Sequence, residues 1–287
     1  MKKIKRLKKL FLFLMSLIIW FSAQPVERNK IMAASPEETA AIPQAGLIAD
    51  YSFAEEPEDG KTIVNTVSGT NAVGNAVLQN ISTAVWEDQA LVFSGAGTSN
   101  NPTGTWVSLP ENILGGKTSA TISIEVKPSS EIVKKLWSIG NSQTNTYWFM
   151  NTKDPRTSIK YGGSEKTARG SHGLEGERWY HLTAVIDAET KTLSYYIDGV
   201  KVSEIQDSAM TLSQVSDQSR NTIGRAPYND PLFQGSVSTF RVYDRALSSE
   251  EIEAMAAADS QLHGDYYNQI EHLLDALSEE IEDITIK

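Results

Sequence analysis

The sequence predicts an all-β sandwich followed by a C-terminal amphipathic helix. From Gly46 to Tyr243, short apolar alternations recur and are separated by Gly, Asn, Ser and Asp residues, which is typical of many short strands joined by turns. No helical pattern of about 10 to 15 residues interrupts them, so a parallel α/β sheet is not expected. In Tyr266–Ile284, apolar residues recur at three- and four-residue spacing, which indicates an amphipathic helix.

The first residues predict a secretory signal peptide. Basic residues dominate positions 2–9, and the apolar run Leu10–Phe21 follows; this run is shorter than the roughly 20 residues that span a bilayer as a helix. We expect cleavage near Ala33–Ala34, so residues 1–34 are the signal peptide, with an uncleaved N-terminal anchor as the alternative. The polar, proline-containing residues 35–45 are the predicted linker, and the protein is expected to be secreted and extracellular.

Charge and cysteine content narrow the classes of partner. The chain carries a formal net charge of −10, and loss of residues 1–34 would leave −17. No basic cluster remains outside the signal region. Because a chain this acidic does not neutralise a phosphate backbone, nucleic acid is not an expected partner. Cysteine is absent, which excludes disulfides, thiolate metal sites and a cysteine nucleophile. Charge and cysteine content do not exclude soluble glycans or cation-linked polymers as partners.

Ten segments carry the alternation expected of strands. The clearest pair is a hairpin in which Asp198-Gly199 supplies the positive φ angles of a tight type I′ turn, with Leu193, Tyr195 and Ile197 on one face before it. The predicted strands are Leu47–Phe53, Ala90–Phe93, Trp106–Leu109, Thr121–Val126, Leu136–Ile139, Tyr147–Asn151, Trp179–Ile186, Leu193–Ile197, Val200–Ile205 and Phe233–Tyr243.

The last predicted strand leads into a marked helix start. Phe240 and Val242 alternate with polar residues and are expected to face the core. Ser248 stands three residues before Glu251, a spacing that lets the serine hydroxyl cap the helix while the glutamate bonds back. The sequence therefore predicts a closing strand, a short loop and a capped helix.

Several segments between Gly46 and Met255 occur in the order found in a known family. They are Gly46–Phe53, Asp59–Leu78, Ala90–Gly95, Trp106–Pro110, Thr121–Pro128, and, as the most specific pair, Trp179–Val185 followed by Tyr196–Gly199. This ordered set resembles the laminin-G-like (concanavalin A-like) jelly-roll domain of bacterial secreted proteins. The resemblance implies a jelly-roll β-sandwich over residues 46–257 and a bacterial source. The remaining residues, 258–287, are the predicted acidic helix or linker.

The resemblance also raises the question of calcium. Structural Ca²⁺ is common in related jelly rolls, where carboxylate and backbone oxygens bind it, and it makes Asp50 a candidate metal ligand. Two departures weigh against the site. Ser238-Thr239 precede Phe240 where the family often has acidic residues, and the segment Gly74–Ala76 lacks a carboxylate.

Catalytic motifs are missing from the predicted strands. Glycosidases with a concanavalin-like sandwich place two carboxylates on one strand face, about 5–5.5 Å apart in retaining enzymes, whereas Glu125 stands alone on its strand. The histidines lack metal-site spacing, and no Gly-x-Ser-x-Gly elbow occurs. His181 matches a family position that is structural. We therefore expect no catalysis by this chain alone.

Two segments combine aromatic rings with amides and carboxylates, the groups that sugars stack on and bond to. Arg225–Leu232 holds Tyr228, Asn229 and Asp230 between two prolines, and Asn141–Asn151 holds Tyr147 and Trp148. These five residues are the candidate ligand-binding set. Burial in the core is the alternative, and it is favoured for Trp148.

The sequence thus predicts a secreted, non-catalytic carbohydrate-binding or adhesion module associated with polysaccharide degradation. Its expected partner is a polysaccharide or glycoconjugate, beside further modules of a larger enzyme. One alternative is a glycoside hydrolase with unrecognised catalytic residues. The other is a cell-surface structural or protein-interaction module that docks through the acidic helix Tyr266–Ile284.

Overall fold

The computed structural model describes residues 41–129, 135–141, 145–152 and 154–261. The predicted signal peptide and the predicted amphipathic helix over Tyr266–Ile284 lie outside these residues. Within the part of the chain that the structure describes, no helix has both the length and the apolar character that a membrane span needs.

The described residues form sixteen strands and one α-helix, together with short 3₁₀ turns. The strands are β1 (Leu47–Ser52), β2 (Thr62–Ile63), β3 (Ala76–Gln79), β4 (Val85–Glu87), β5 (Ala90–Ser94), β6 (Trp106–Leu109), β7 (Ala120–Pro128), β8 (Lys135–Gly140), β9 (Tyr147–Asn151), β10 (Arg156–Tyr161), β11 (Ser164–Arg169), β12 (Tyr180–Asp187), β13 (Thr192–Ile197), β14 (Val200–Gln206), β15 (Asn221–Ile223) and β16 (Gln234–Tyr243), and the helix is α1 (Ser249–Ser260).

The strands pair into two antiparallel sheets. Sheet A has the order β14-β13-β12-β7-β16-β5-β4, and sheet B has the order β11-β10-β9-β8-β15-β6-β3-β2. In sheet A, the long strand β16 has β7 on one side, while β5 pairs with its first half and β1 with its second half. The predicted all-β sandwich is therefore confirmed.

The core lies between the two sheets and follows the apolar alternation. Phe240 and Val242 of β16 are fully buried there, as predicted, and Ile124 of β7 lies beside Phe240. Sheet B contributes Trp137 and Trp148, whose rings meet edge to face at 5.1 Å, and Trp137 also meets Phe240 at 6.5 Å. Edge-to-face pairs of this kind add stability beyond the buried area alone.

Two hairpins with positive-φ turns lie at the edges of the sheets, one in each sheet. Asp198 and Gly199 have φ angles of 50° and 80°, so the predicted β13–β14 turn is confirmed. Gly162 and Gly163 have φ angles of 57° and 83° and join β10 to β11, two strands that the sequence analysis missed. Their residues are mostly polar, so they lack the apolar alternation on which strand prediction relies.

Helix α1 closes the outer face of sheet A. The Ser248 hydroxyl accepts a hydrogen bond from the Glu251 amide at 3.3 Å, and the Glu251 carboxylate accepts one from the Ser248 amide at 2.9 Å, which confirms the predicted capping box. Ile252 and Met255 pack with Tyr243 in a small apolar cluster outside the main core. The cap and this cluster fix the helix on the sheet.

A buried charged cluster lies beneath the last turn of α1. Asp259, 1% exposed, accepts a hydrogen bond from Arg241 Nη1 at 2.6 Å, and His181 Nε2 lies 3.4 Å from the same carboxylate. Arg241 Nε lies 3.0 Å from Asp50 Oδ1. The helix is therefore joined to β12, β16 and β1 by charged groups as well as by apolar packing.

Glu125 lies on the same face of sheet A, between His181 and Thr239 on the neighbouring strands. It is 3% exposed, and its Oε2 has no hydrogen-bond partner in the described structure. Burial, and then the charges of Asp259 and Asp198, raise the pKa of this carboxyl well above its usual range, against the opposing charge of Arg241. Glu125 therefore holds a proton in the folded protein at pH values where the unfolded chain has lost it.

This titration predicts a pH-dependent effect of Glu125→Gln. Between the unfolded pKa, about 4.3, and the higher folded pKa, the folded state binds more protons, so stability falls as pH rises. Glutamine cannot titrate. We therefore expect the variant to match the wild type near pH 4 and to exceed its free energy of unfolding by an amount that grows as the pH rises to 8.

Urea denaturation of both proteins from pH 4 to pH 8 measures the effect. Glu189→Gln, in the exposed turn before β13, is the matched control and should follow the wild type. His181 titrates in the opposite sense, because burial lowers its pKa to about 4 and stability is lost as pH falls from about 6.5. Because His181 neighbours Glu125, the decisive comparison is at pH 8, where this imidazole is neutral in both the folded and the unfolded state. A Glu125→Gln variant less stable than the wild type at pH 8 would contradict the prediction.

Candidate functional site

The outer face of sheet B carries most of the sequence-predicted site residues. Successive residues of a strand point to opposite faces, so Tyr147 and Phe149 of β9 lie on the outer face while Trp148 and Met150 lie in the core. The loop Arg225–Leu232 follows β15 and reaches this face. The topology therefore brings Tyr147 and the loop together.

Trp148 is not part of this face. Its side chain is fully buried, its ring packs on Trp137, and its Nε1 donates a hydrogen bond to Thr157 Oγ1 at 2.8 Å. A ligand at the surface cannot stack on a ring between the sheets. The structure thus removes Trp148 from the candidate set and places it in the core.

Tyr147, Tyr228, Lys160 and Glu165 form a hydrogen-bonded group that we call the tyrosine cluster. Tyr147 donates its hydroxyl hydrogen to Glu165 Oε1 at 2.5 Å. The Tyr228 hydroxyl lies 2.8 Å from that of Tyr147, and Lys160 Nζ donates to Tyr228 at 3.3 Å. Because the single Tyr147 proton is used on Glu165, Tyr228 must be the donor to Tyr147. The chain of bonds therefore runs from Lys160 to Glu165.

The two tyrosines differ in exposure. Tyr147 is fully buried, whereas Tyr228 is half-buried, and their rings meet edge to face with centroids 5.6 Å apart. Burial, then the hydrogen bonds to Glu165 and Tyr228, raise the pKa of Tyr147 far above its usual range. Tyr147 thus stays protonated and holds Tyr228 in place, while part of the Tyr228 side chain stays open to a ligand.

The loop Arg225–Leu232 is fixed to the neighbouring segment 98–102. Arg225 lies with Cζ 4.5 Å from the centre of the Trp106 ring and donates from Nε to the Ser99 carbonyl at 2.9 Å. Asn229, an exposed residue, accepts a hydrogen bond from the Asn100 amide at 3.1 Å. These contacts hold Tyr228 at the surface without a ligand.

Asp230, the last predicted loop residue of the site, faces a group of cations. Its Oδ2 lies 3.6 Å from Lys135 Nζ. Lys135 Nζ lies 4.0 Å from the centre of the Phe149 ring, and Arg156 Cζ lies 5.5 Å from the same ring. Asn151 pairs with both Lys135 and Arg156 across the strands. We call Lys135, Asn151 and Arg156 around Phe149 the cation corner.

Sequence reasoning missed the charged members of both groups. Lys160, Glu165 and Arg156 lie on the β10–β11 hairpin, whose polar residues gave no strand pattern. A signal was present in Gly162-Gly163, a pair that supplies the two positive φ angles of a short hairpin turn. Recognising it would have predicted the hairpin, although not the contacts of its side chains with a distant loop.

Asp50, the predicted metal ligand, lies elsewhere. It lines an open cleft of about 490 Å³ with Thr66, Ser68 and Asp244, and its carboxylate lies 3.0 Å from the Arg241 guanidinium. Burial raises the pKa of Asp50, with Arg241 opposing the effect. A guanidinium beside the carboxylate repels a cation, and in the described ranges no three His, Cys, Asp or Glu side chains converge as a metal site requires. The surroundings of Asp50 therefore do not fit Ca²⁺.

The sequence profile described as the concanavalin A-like lectin/glucanases superfamily, Laminin_G_3, matches residues 99–253, more than half of the chain. The chain belongs to this family. The matched residues include the loop Arg225–Leu232, the hairpin β10–β11 and the cation corner. The predicted relationship to laminin-G-like jelly-roll domains is thus confirmed. No curated protein sequence matches the chain.

Solved structures share the fold of this Laminin_G_3 member at low identity. Domain 4 of AbnA, a GH43 extracellular arabinanase from Geobacillus stearothermophilus, in complex with arabinotriose, is 18% identical with a TM-score of 0.60, covering 75% of this chain and 100% of that domain. The Trypanosoma rangeli sialidase is 16% identical with a TM-score of 0.54, covering 81% of this chain and 36% of the sialidase. At such identities, the likeness shows the fold alone.

Proposed function

We propose that this protein is a non-catalytic carbohydrate-binding module, exported from the cell, whose ligand binds the outer face of sheet B at Tyr228. The observation that carries the proposal is the tyrosine cluster. It presents a half-exposed aromatic side chain, fixed from behind by Tyr147 and flanked by Lys160 and Glu165. An aromatic face with a few polar groups beside it is the arrangement on which sugar rings stack and form hydrogen bonds.

Preorganisation supports binding at this position. The loop that carries Tyr228 is held at both sides by contacts with segment 98–102, so a ligand does not have to order it. Side chains immobilised before binding reduce the entropic cost of the complex. The hydroxyl of Tyr228 is already used on Tyr147, which leaves the face of its ring as the ligand-facing group.

The polar surface continues along the hairpin from Tyr228. Ser158 and Thr167, cross-strand neighbours of β10 and β11, share a 2.8 Å hydrogen bond between their hydroxyls. Arg156 lies four residues from Lys160, a separation of about 13 Å along an antiparallel strand. Ser158 is fully buried and Thr167 half-buried, so an extended oligosaccharide lying along β10 would meet the ring of Tyr228, the hydroxyl of Thr167 and the charge of Arg156 in turn. The fold shared with an arabinanase domain in complex with arabinotriose is compatible with this use.

Tyr228→Ala is expected to weaken glycan binding by roughly thirtyfold, since loss of a central aromatic contact costs about 2 kcal/mol. Tyr228→Phe keeps the ring and loses only the hydroxyl, with its bonds to Tyr147 and Lys160, so most of the affinity should remain. Pull-down on insoluble polysaccharides and isothermal titration with soluble oligosaccharides, each with and without Ca²⁺, measure the effect.

The matched control is Trp86→Ala, which removes a half-buried aromatic ring from β4 at the far edge of sheet A and should leave affinity unchanged. Wild-type protein that retains no glycan in any arm would contradict the proposed function. A Tyr228→Ala variant with wild-type affinity would contradict the assignment of the site.

A further inference from the structure

The cation corner holds two positive charges, and only one of the three nearby carboxylates lies at hydrogen-bond distance from them. Lys135 and Arg156 both lie over the Phe149 ring. The nearest carboxylate oxygen of Asp230 is 3.6 Å from Lys135, and Arg156 Nη2 is 3.9 Å from Glu165. Only the contact of Arg156 Nη1 with Asp154, at 3.0 Å, has the length of a hydrogen bond.

The electrostatic consequence appears at Lys135, whose side chain is 8% exposed. Burial lowers the pKa of this lysine; the repulsion of Arg156 acts in the same direction, and the attraction of Asp230 and Glu165 opposes it. Two like charges near one ring in a largely buried position are costly unless an anion accompanies them. Lys135 is therefore a largely buried cation with no described carboxylate oxygen within 3.5 Å.

Unused hydrogen-bonding groups lie between the two cations. Asn151 is 1% exposed, and neither its Oδ1 nor its Nδ2 has a partner in the described structure. Arg156 Nε is likewise buried and without a hydrogen bond there. Buried polar atoms are nearly always paired, so an unpartnered amide and guanidinium nitrogen on adjacent strands indicate a group that completes them.

We propose that the cation corner binds the carboxylate of an acidic sugar, which makes the ligand of this module a uronate-type or other carboxylated glycan. The proposal rests on the proposed function and specifies its ligand class. Arginine and lysine donors side by side match the two oxygens of a carboxylate, and Asn151 can donate to the same group and accept from a sugar hydroxyl. The tyrosine cluster, which shares strands β9 and β10 with the cation corner, would hold another sugar ring of the same ligand.

Asp230 has a distinct part in this arrangement. Its side chain is 42% exposed, so it marks the open side of the corner, and its carboxylate stands 3.6 Å from Lys135. It therefore acts as an internal counterion in the position that a ligand carboxylate would take. A sugar acid that binds there displaces Asp230 and meets Lys135 directly.

The test compares two forms of one polymer: polygalacturonate, with a carboxylate on each sugar, and its methyl ester, which is neutral. Isothermal titration at low salt should show that the protein binds the acid form far more tightly than the ester. Binding of the acid form should also weaken at high salt. Lys135→Met should reduce affinity about thirtyfold or more, because it removes one partner of a buried charge pair.

Asp230→Asn provides a gain of affinity that misfolding cannot imitate. Removal of the competing carboxylate should strengthen binding of polygalacturonate several-fold, whereas loss of affinity would mean that Asp230 itself contacts the sugar. Lys201→Met is the matched control, because Lys201, like Lys135, lies over an aromatic ring, that of Tyr196 at 5.8 Å, but on sheet A. It should bind as the wild type does.

The outcomes separate this inference from the proposed function. Equal affinity for the acid and the ester, weaker binding by Asp230→Asn, or tighter binding of a sulfated polymer such as dextran sulfate overturns the carboxylate site. If neutral glycans still bind through Tyr228, the proposed function survives that result. Absence of binding to any glycan overturns both.

Discussion

Asp259→Ala is expected to lower the free energy of unfolding by about 3–5 kcal/mol, the cost of removing one partner from a buried ion pair. The Asp259 side chain is 2% exposed and that of Arg241 is 7% exposed, and they meet at 2.6 Å. Without the aspartate, the guanidinium would remain buried with only the partly exposed Asp50 as a counterion. The expected cost is that of this uncompensated charge.

The position of Asp259 within α1 strengthens the argument. It lies in the last turn of the helix, where a carboxylate is unfavourable because the helix dipole is negative at that end. Helix propensity therefore does not account for an aspartate here. Its contacts with Arg241 and His181 on the sheet account for the aspartate. These contacts are made only when α1 lies on the outer face of sheet A.

Urea denaturation of the wild type and four variants tests this prediction. Arg241→Met should also be strongly destabilising, and the double variant should cost less than the sum of the two single variants, because it leaves neither charge unpaired. Glu204→Ala is the matched control: its pair with Lys201, at 2.7 Å, is exposed on both sides and is expected to contribute only about 0–1 kcal/mol. An Asp259→Ala cost as small as that of Glu204→Ala would refute the argument.

The parts of the fold that the sequence predicted are those encoded by local patterns. Alternation placed Phe240 and Val242 in the core, Asp198-Gly199 determined a turn, and the spacing of Ser248 and Glu251 marked the start of α1. Each of these depends on residues within a few positions of one another. The laminin-G-like resemblance then supplied the arrangement of the strands, which short patterns do not encode.

The candidate site depends on pairing between distant segments, and that is why much of it escaped prediction. Tyr147 and Tyr228 are 81 residues apart, and their contact follows from the position of β9 and the loop after β15 in sheet B. Lys160 and Glu165 reach the site through a polar hairpin with no apolar alternation. The choice between Tyr147 and Trp148 as the outward residue needed the face of β9, which the sequence alone did not supply.

Trp148→Ala is expected to lower the free energy of unfolding by about 3–5 kcal/mol, the usual cost of removing a buried tryptophan. The ring is fully buried against Trp137, and the Nε1 bond to Thr157 would also be lost. Glycan affinity of the folded protein should not change, because the indole lies on the core face of β9. Denaturant titration measures the first effect, and isothermal titration below the unfolding transition measures the second.

Trp148→Phe and Tyr228→Ala are the comparison variants for this prediction. The phenylalanine retains most of the buried ring, and Thr157 Oγ1 still donates to the Phe149 carbonyl at 3.0 Å, so its loss of stability should be smaller than that of Trp148→Ala. Tyr228→Ala should show the reverse profile, with affinity lost and stability nearly kept, since its side chain is half-buried in a surface loop. If Trp148→Ala instead abolished binding under conditions where the protein is fully folded, the ligand would have to contact the core side of sheet B. The assignment of its outer face as the binding surface would then be wrong.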